Sequence, residues 1–211
     1  MRLAICVALY AATAVCLAQT WEAGGAAGAG LAPGLTASNA AGHATTGFTN
    51  SPAFGVYLGQ DLHKRLGGEI RYTFRTGDLS LSAGGTKVVF GGQSHLIHYD
   101  VLMYGKPSGS RLRPFLAVGA GVRITRGTGP EVVYQPLWQY VLLTRTRQAQ
   151  PVVSLGGGFK WKISKRLLLR AEVRDYLSPS PQKVIAPVGG AKISGWLHDI
   201  VPLVGIGLAF K

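Results

Sequence analysis

The chain has 211 residues, enough for one domain with a sizeable interior, and 22 basic residues against nine acidic ones leave a formal charge of +13. A mean hydropathy of +0.21 is high for a sequence with 30 glycines, yet past the N-terminus no apolar stretch approaches the roughly 20 residues that a membrane-spanning helix needs. The composition therefore excludes a helical membrane protein and points to anionic surroundings such as lipid phosphates or lipopolysaccharide.

Residues 1–18 have a basic start at Arg2, an apolar middle and the small-residue exit Cys16-Leu17-Ala18, and are expected to be a cleaved secretory signal, with residues 19–211 as the mature domain. Val15 is bulky for a lipoprotein signal at Cys16. Both cysteines, Cys6 and Cys16, fall inside this signal, so the mature chain is expected to lack disulfides. Export also removes nucleic acid as a partner.

Eight strands are then expected, at 21–31, 52–62, 67–76, 94–104, 113–126, 151–163, 167–178 and 198–210. Each is near the roughly 9–11 residues of a tilted membrane strand. Short basic links follow the second, fourth and sixth: His63-Lys64-Arg65, residues 106–112 and Ser164-Lys165-Arg166. Long links, at 32–51, 77–93, 127–150 and 179–197, follow the others. Short turns on one rim and long loops on the other predict an all-β fold, an eight-stranded antiparallel up-and-down transmembrane β-barrel with short periplasmic turns and long extracellular loops.

Strand parity assigns the faces, since a one-residue slip reverses every side chain. Ile70, Tyr72 and Phe74 of the third strand are expected to face lipid. So are Leu116 to Ile124 at even positions of the fifth, Val153, Leu155, Phe159, Trp161 and Ile163 of the sixth, and Val204 to Phe210 at even positions of the last. Trp21, Trp161 and Phe210 then lie near the short-turn rim, with Phe74 and Trp196 toward the loops, as two aromatic girdles. The inward face receives Glu22, Glu69, Arg71, Arg75, His98, Asp100, Arg123, Lys160, Lys162, Arg170, Glu172 and Arg174. Glycines 119, 121, 156, 158, 205 and 207 leave room for them. A barrel of this size holds only its own side chains, so the expectation is a lumen plugged by ion pairs, with Glu69, Asp100 and Glu172 bridging the arginines.

These features together resemble the OmpA-like/OmpX-like outer-membrane β-barrel family, through pattern over the whole mature chain. Gly205-Ile206-Gly207-Leu208-Ala209-Phe210 is similar to the family's C-terminal assembly signal, which implies Gly205, Leu208 and Phe210 as contacts for the barrel-assembly machinery. Lys211 after the final aromatic and Leu203 in place of a polar residue depart from that pattern. The resemblance carries no OmpA-type peptidoglycan-binding domain here. It implies a monomer, one chain closing one barrel.

Chemistry is weakly marked. His98 and Asp100 share the inward face and read as one more lumen pair, while Ser94 and His95 suit a lipid-directed hydrolase but lack an acidic partner. His43, His63 and His198 are isolated, no metal-ligand spacing occurs, and no cofactor is expected. The third loop runs from Val132 to Leu143 through Trp138 and Tyr140 to Arg145 and Arg147. It is read either as an adhesive, lipopolysaccharide-contacting surface or as a hairpin extending the fifth and sixth strands. The first loop, rich in Ala, Gly, Ser and Thr, reads as flexible. The leading expectation is a non-enzymatic outer-membrane protein with a structural or surface-interaction role. A narrow solute pore, a lipid-modifying hydrolase and a secreted ligand-binding barrel are the alternatives.

Overall fold

Alternation of side chains across each strand dictates a sheet with two unlike faces, and closing that sheet gives the fold. The computed structural model describes residues 20–40, 42–130 and 134–210; the expected signal segment, both cysteines, Val132, Val133 and Lys211 lie outside them. Eight long strands form a closed antiparallel barrel: β1 (Trp21–Gly30), β4 (Ser51–His63), β5 (Leu66–Thr76), β8 (Gly92–Tyr104), β9 (Leu112–Gly127), β11 (Arg147–Lys162), β12 (Leu167–Leu177) and β15 (Ile200–Phe210). Neighbours in the barrel are neighbours in sequence, and β1 closes it against β15 in the register Trp21↔Phe210 to Gly28↔Leu203. The eight expected strands are all present. Their ends differ most at β11, which begins four residues earlier than expected.

The two faces are inverted relative to a water-soluble protein. Leu116, Val204, Ile206 and Leu208 are each more than half exposed, whereas Arg71, Arg170 and Arg174 are 1%, 1% and 0% exposed. An apolar wall with ions inside is stable only where hydrocarbon replaces water outside and every backbone group is paired within the cylinder.

The long loops are not irregular. Between the barrel strands lie β2 (Leu35–Asn39), β3 (Gly42–Phe48), β6 (Leu79–Ala83), β7 (Thr86–Phe90), β10 (Val141–Leu143), β13 (Ile185–Pro187) and β14 (Lys192–Ser194). They pair as a five-stranded sheet, β14-β2-β3-β6-β7, and a two-stranded one, β10-β13. Leu35, Phe48, Leu79, Leu81, Val141, Leu143, Ile185 and Leu197 bury a second hydrophobic core between them. This cap corrects two expectations. The first loop is an ordered hairpin, because Leu35, Ala37 and Ala44 alternate with polar residues and pack inward. The third loop does extend β9 and β11, but its distal part turns aside, and Val141–Leu143 pairs with the fourth loop rather than with its own flank.

Candidate functional site

At the middle of the lumen, alternate positions on β5 and β12 place Glu69 beside Arg71, and Glu172 between Arg170 and Arg174. Glu69 accepts from Arg71 (Nη2–Oε1 2.9 Å) and from Arg170 (Nη1–Oε2 2.5 Å). Glu172 accepts from Arg170 at 3.0 Å and from Arg174 Nε at 2.8 Å, and Arg71 Nη2 lies 2.7 Å from its other oxygen. Arg174 reaches on to Asp100 at 2.8 Å, and His98 Nδ1 sits 3.1 Å from the same carboxylate oxygen. Tyr57 and Phe115 cover the Arg170 guanidinium with ring centroids 4.6 and 4.7 Å away. Glu69 and Glu172 are each shared by two or more arginines, and Asp100 is held by Arg174 beside His98, which is how ions survive burial: desolvation is offset only when attraction and hydrogen bonding are both saturated.

Arg75 and Arg123 do not join this cluster, contrary to the sequence expectation. Both converge on Asp199, Arg123 at 2.8 Å, just below the cap. Arg75 also donates to Ser51 Oγ at 2.9 Å and to the carbonyls of Thr49 and Gly30. Asp199 was overlooked although it shares the parity of Val201, Leu203 and Gly205, and that parity was the available signal. Lys160 likewise departs from the central acids and binds Glu22 at 2.6 Å, which also accepts from the Tyr57 hydroxyl at 2.8 Å. Arg113 and Asp61, another unanticipated pair, meet at 3.1 Å under the Tyr104 ring. These lower groups line a cavity of about 300 Å³ at the short-turn mouth.

Glycine makes the packing possible. A Cβ on Gly156 would collide with the Arg174 side chain, one on Gly24 would lie 2.5 Å from the Tyr57 ring, and one on Gly207 would lie 2.7 Å from Glu22.

The remaining candidates are dispersed. Trp21 pairs with Phe210 at the short-turn end, and Trp161 lies opposite Leu112 and Leu169 near the same end. Phe74 packs at a tilt against His95 toward the loops, while Trp196 is 58% exposed in the last loop. Gly205 faces inward, Leu208 and Phe210 outward. Trp138, Arg145 and Arg147 are exposed, and Tyr140 is half-buried against the cap core. Ser94 is buried inside the barrel, whereas the His95 ring lies on the outer wall, 2.7 Å from the Tyr72 hydroxyl. The wall separates them, so they are not a nucleophile and its base. Among the described residues no three or more of His, Cys, Asp and Glu gather as a metal site.

Solved structures with the same architecture come from outer membranes. Neisserial surface protein A is similar with a TM-score of 0.55 and 13% identity, covering 90% of this chain and 97% of its own. The outer membrane protein OprG of Pseudomonas aeruginosa gives 0.57 and 13%, covering 92% and 95%. The outer membrane protein AlkL gives 0.54 and 12%, covering 91% and 90%. At these identities the likeness concerns the fold. No curated protein matches the sequence. The model of the outer membrane protein beta-barrel domain matches residues 7–183. With an inside-out barrel of eight strands and that match, the chain belongs to the outer membrane protein beta-barrel domain family and is a protein of the bacterial outer membrane.

Proposed function

We propose that the protein is a non-enzymatic, solute-tight anchor that holds a folded β cap at the cell surface as an interaction platform. The observation that carries this reading is the pair of separate cores: an ion-paired lumen beneath, and above it an apolar cap. A pore has no use for five arginines that are each at most 2% exposed across its path. A purely structural barrel has no use for a cap with its own core. The cap carries exposed aromatic side chains, Tyr134 at 68% and Trp138 at 50%, of the kind that anchors contacts with partners. The barrel-assembly machinery is the partner for insertion, through Gly205, Leu208 and Phe210, and one chain closing one barrel suits a monomer.

Two measurements test the reading. Reconstituted into planar bilayers, the protein should give no steady conductance; a large and persistent one overturns the sealed anchor. Whole cells carrying Tyr134→Ser with Trp138→Ser should be retained less than wild type on hydrophobic and glycan-coated surfaces. Equal retention removes the platform.

A further inference from the structure

On the outer wall of β9 the apolar positions run Leu112, Pro114, Leu116, Val118, Ala120, Val122 and Ile124, and the next outward residue is Arg126. At about 3.3 Å per residue and a tilt of about 40°, that run rises through about 30 Å, the height of a bilayer's apolar layer. On β11 the outward run from Phe159 up to Ala149 ends in the same way at Arg147. The barrel register sets Arg126 directly opposite Arg147, and both are exposed. Two guanidiniums on facing positions of neighbouring strands repel, which weakens a sheet unless an anion lies between them.

Among the described residues no carboxylate pairs with them: Asp78, exposed in the second long link, joins no ion pair, and the others are engaged elsewhere. Glu22, Asp61, Glu69, Asp100, Glu172 and Asp199 are engaged inside the barrel, and Asp175 holds His198 at 2.9 Å. None of the ion pairs between described residues includes Arg126 or Arg147, nor the exposed Arg145 beside them. A phosphate suits two adjacent guanidiniums because each offers a planar fork of donors to its oxygens. The wall just below is greasy, so the phosphate that fits best carries hydrocarbon chains.

We propose that Arg126 and Arg147 form a docking site for the phosphate headgroup of an outer-leaflet membrane lipid, whose acyl chains lie on Val122, Ile124, Ala149 and Pro151. The site depends on the membrane orientation alone, not on whether the cap binds anything. It explains why arginines, rather than an ion pair, close the apolar band on these two strands.

Full-length protein in phosphatidylcholine bilayers doped with phosphatidic acid, a phosphomonoester lipid, tests it by native mass spectrometry of retained lipid. Wild type should retain the phosphomonoester over phosphatidylcholine by roughly tenfold, equivalent to about 1.4 kcal/mol, and Arg126→Gln with Arg147→Gln should abolish the preference. Arg65→Gln in a short turn should leave it unchanged. Stability gives an independent sign. In pure phosphatidylcholine the double variant should unfold in urea no earlier than wild type, because a repulsion has gone. With the phosphomonoester present, wild type should become the more resistant. An undiminished preference in the double variant overturns the site. So does a loss of equal size in Arg65→Gln, or displacement of the lipid by millimolar inorganic phosphate, which marks a simple anion site.

Discussion

Glu69 shows how a charge is made tolerable at full burial. It is 0% exposed and holds Arg71 and Arg170 at once, while Arg71 also reaches Glu172. Removing its charge leaves two guanidiniums facing each other in a medium of low polarity. Glu69→Gln should therefore cost about 3–5 kcal/mol, seen as a lower urea midpoint in lipid bilayers with an unchanged slope. Asp78→Asn, at an exposed loop position, should move it little. A Glu69→Gln midpoint no lower than that of Asp78→Asn would contradict this account. Gly156 makes the complementary point about volume. Its added methyl would displace Arg174 and press on the Val173 carbonyl at 2.7 Å, so Gly156→Ala should destabilise by roughly 1–3 kcal/mol. The same change at Gly157, on the outer face, meets nothing closer than 3.2 Å and should be milder. These assignments were open to parity arguments because period two is rigid. Asp199 obeys the same parity and falls inside the last expected strand, 198–210, so its inward face was legible too, although the observed strand begins one residue later, at Ile200.

Among the elements, long and short strands differed in how far their pattern could be read. A barrel strand repeats its alternation five to eight times, and its turns on the short rim fix its register. The cap strands are three to seven residues long, and their partners come from different loops: β10 meets β13, and β14 meets β2. No local pattern encodes such pairings. The β6–β7 hairpin is local by contrast, with Gly84 and Gly85, both at positive φ, as its two-residue turn, a signal that the reading of residues 77–93 as a plain long link did not use. The cap's core also implies that it can be undone without the barrel. Leu143 is fully buried there, and a carboxylate in its place has no cation to meet in that apolar cluster. Leu143→Asp should speed proteolysis within residues 134–146 and 183–197. The barrel should keep its slower, heat-sensitive mobility in electrophoresis. Loss of both together would mean that cap and barrel fold as one unit.

At the scale of the whole molecule, the charge distribution separates two tasks. Six of the nine acids, Glu22, Asp61, Glu69, Asp100, Glu172 and Asp199, lie within the cylinder, each held by at least one arginine or lysine, and the surplus of basic residues is left for the rims: Lys64, Arg65, Lys106, Arg111, Lys165 and Arg166 on the short turns, and Lys87, Arg126, Arg145, Arg147, Lys183 and Lys192 at the loop end. Exposed rim charges are screened by salt, while pairs at full burial are not. The seal should therefore be indifferent to ionic strength. Planar-bilayer recordings of wild type in 0.1 M and in 1 M KCl should both show a closed barrel. Shortening Glu69, Arg71 and Arg170 together to alanine removes three adjacent side chains from the central cluster and leaves Glu172 and Asp100 still held by Arg174. That variant should admit water and pass discrete currents, provided its heat-sensitive mobility shows that it has folded. A wild-type barrel that opens in 1 M KCl would mean that the ion pairs are solvated and exchangeable. A triple variant as tight as wild type would move the seal to the apolar layer around Leu96, Val152, Tyr176 and Leu203, with the charges serving stability alone.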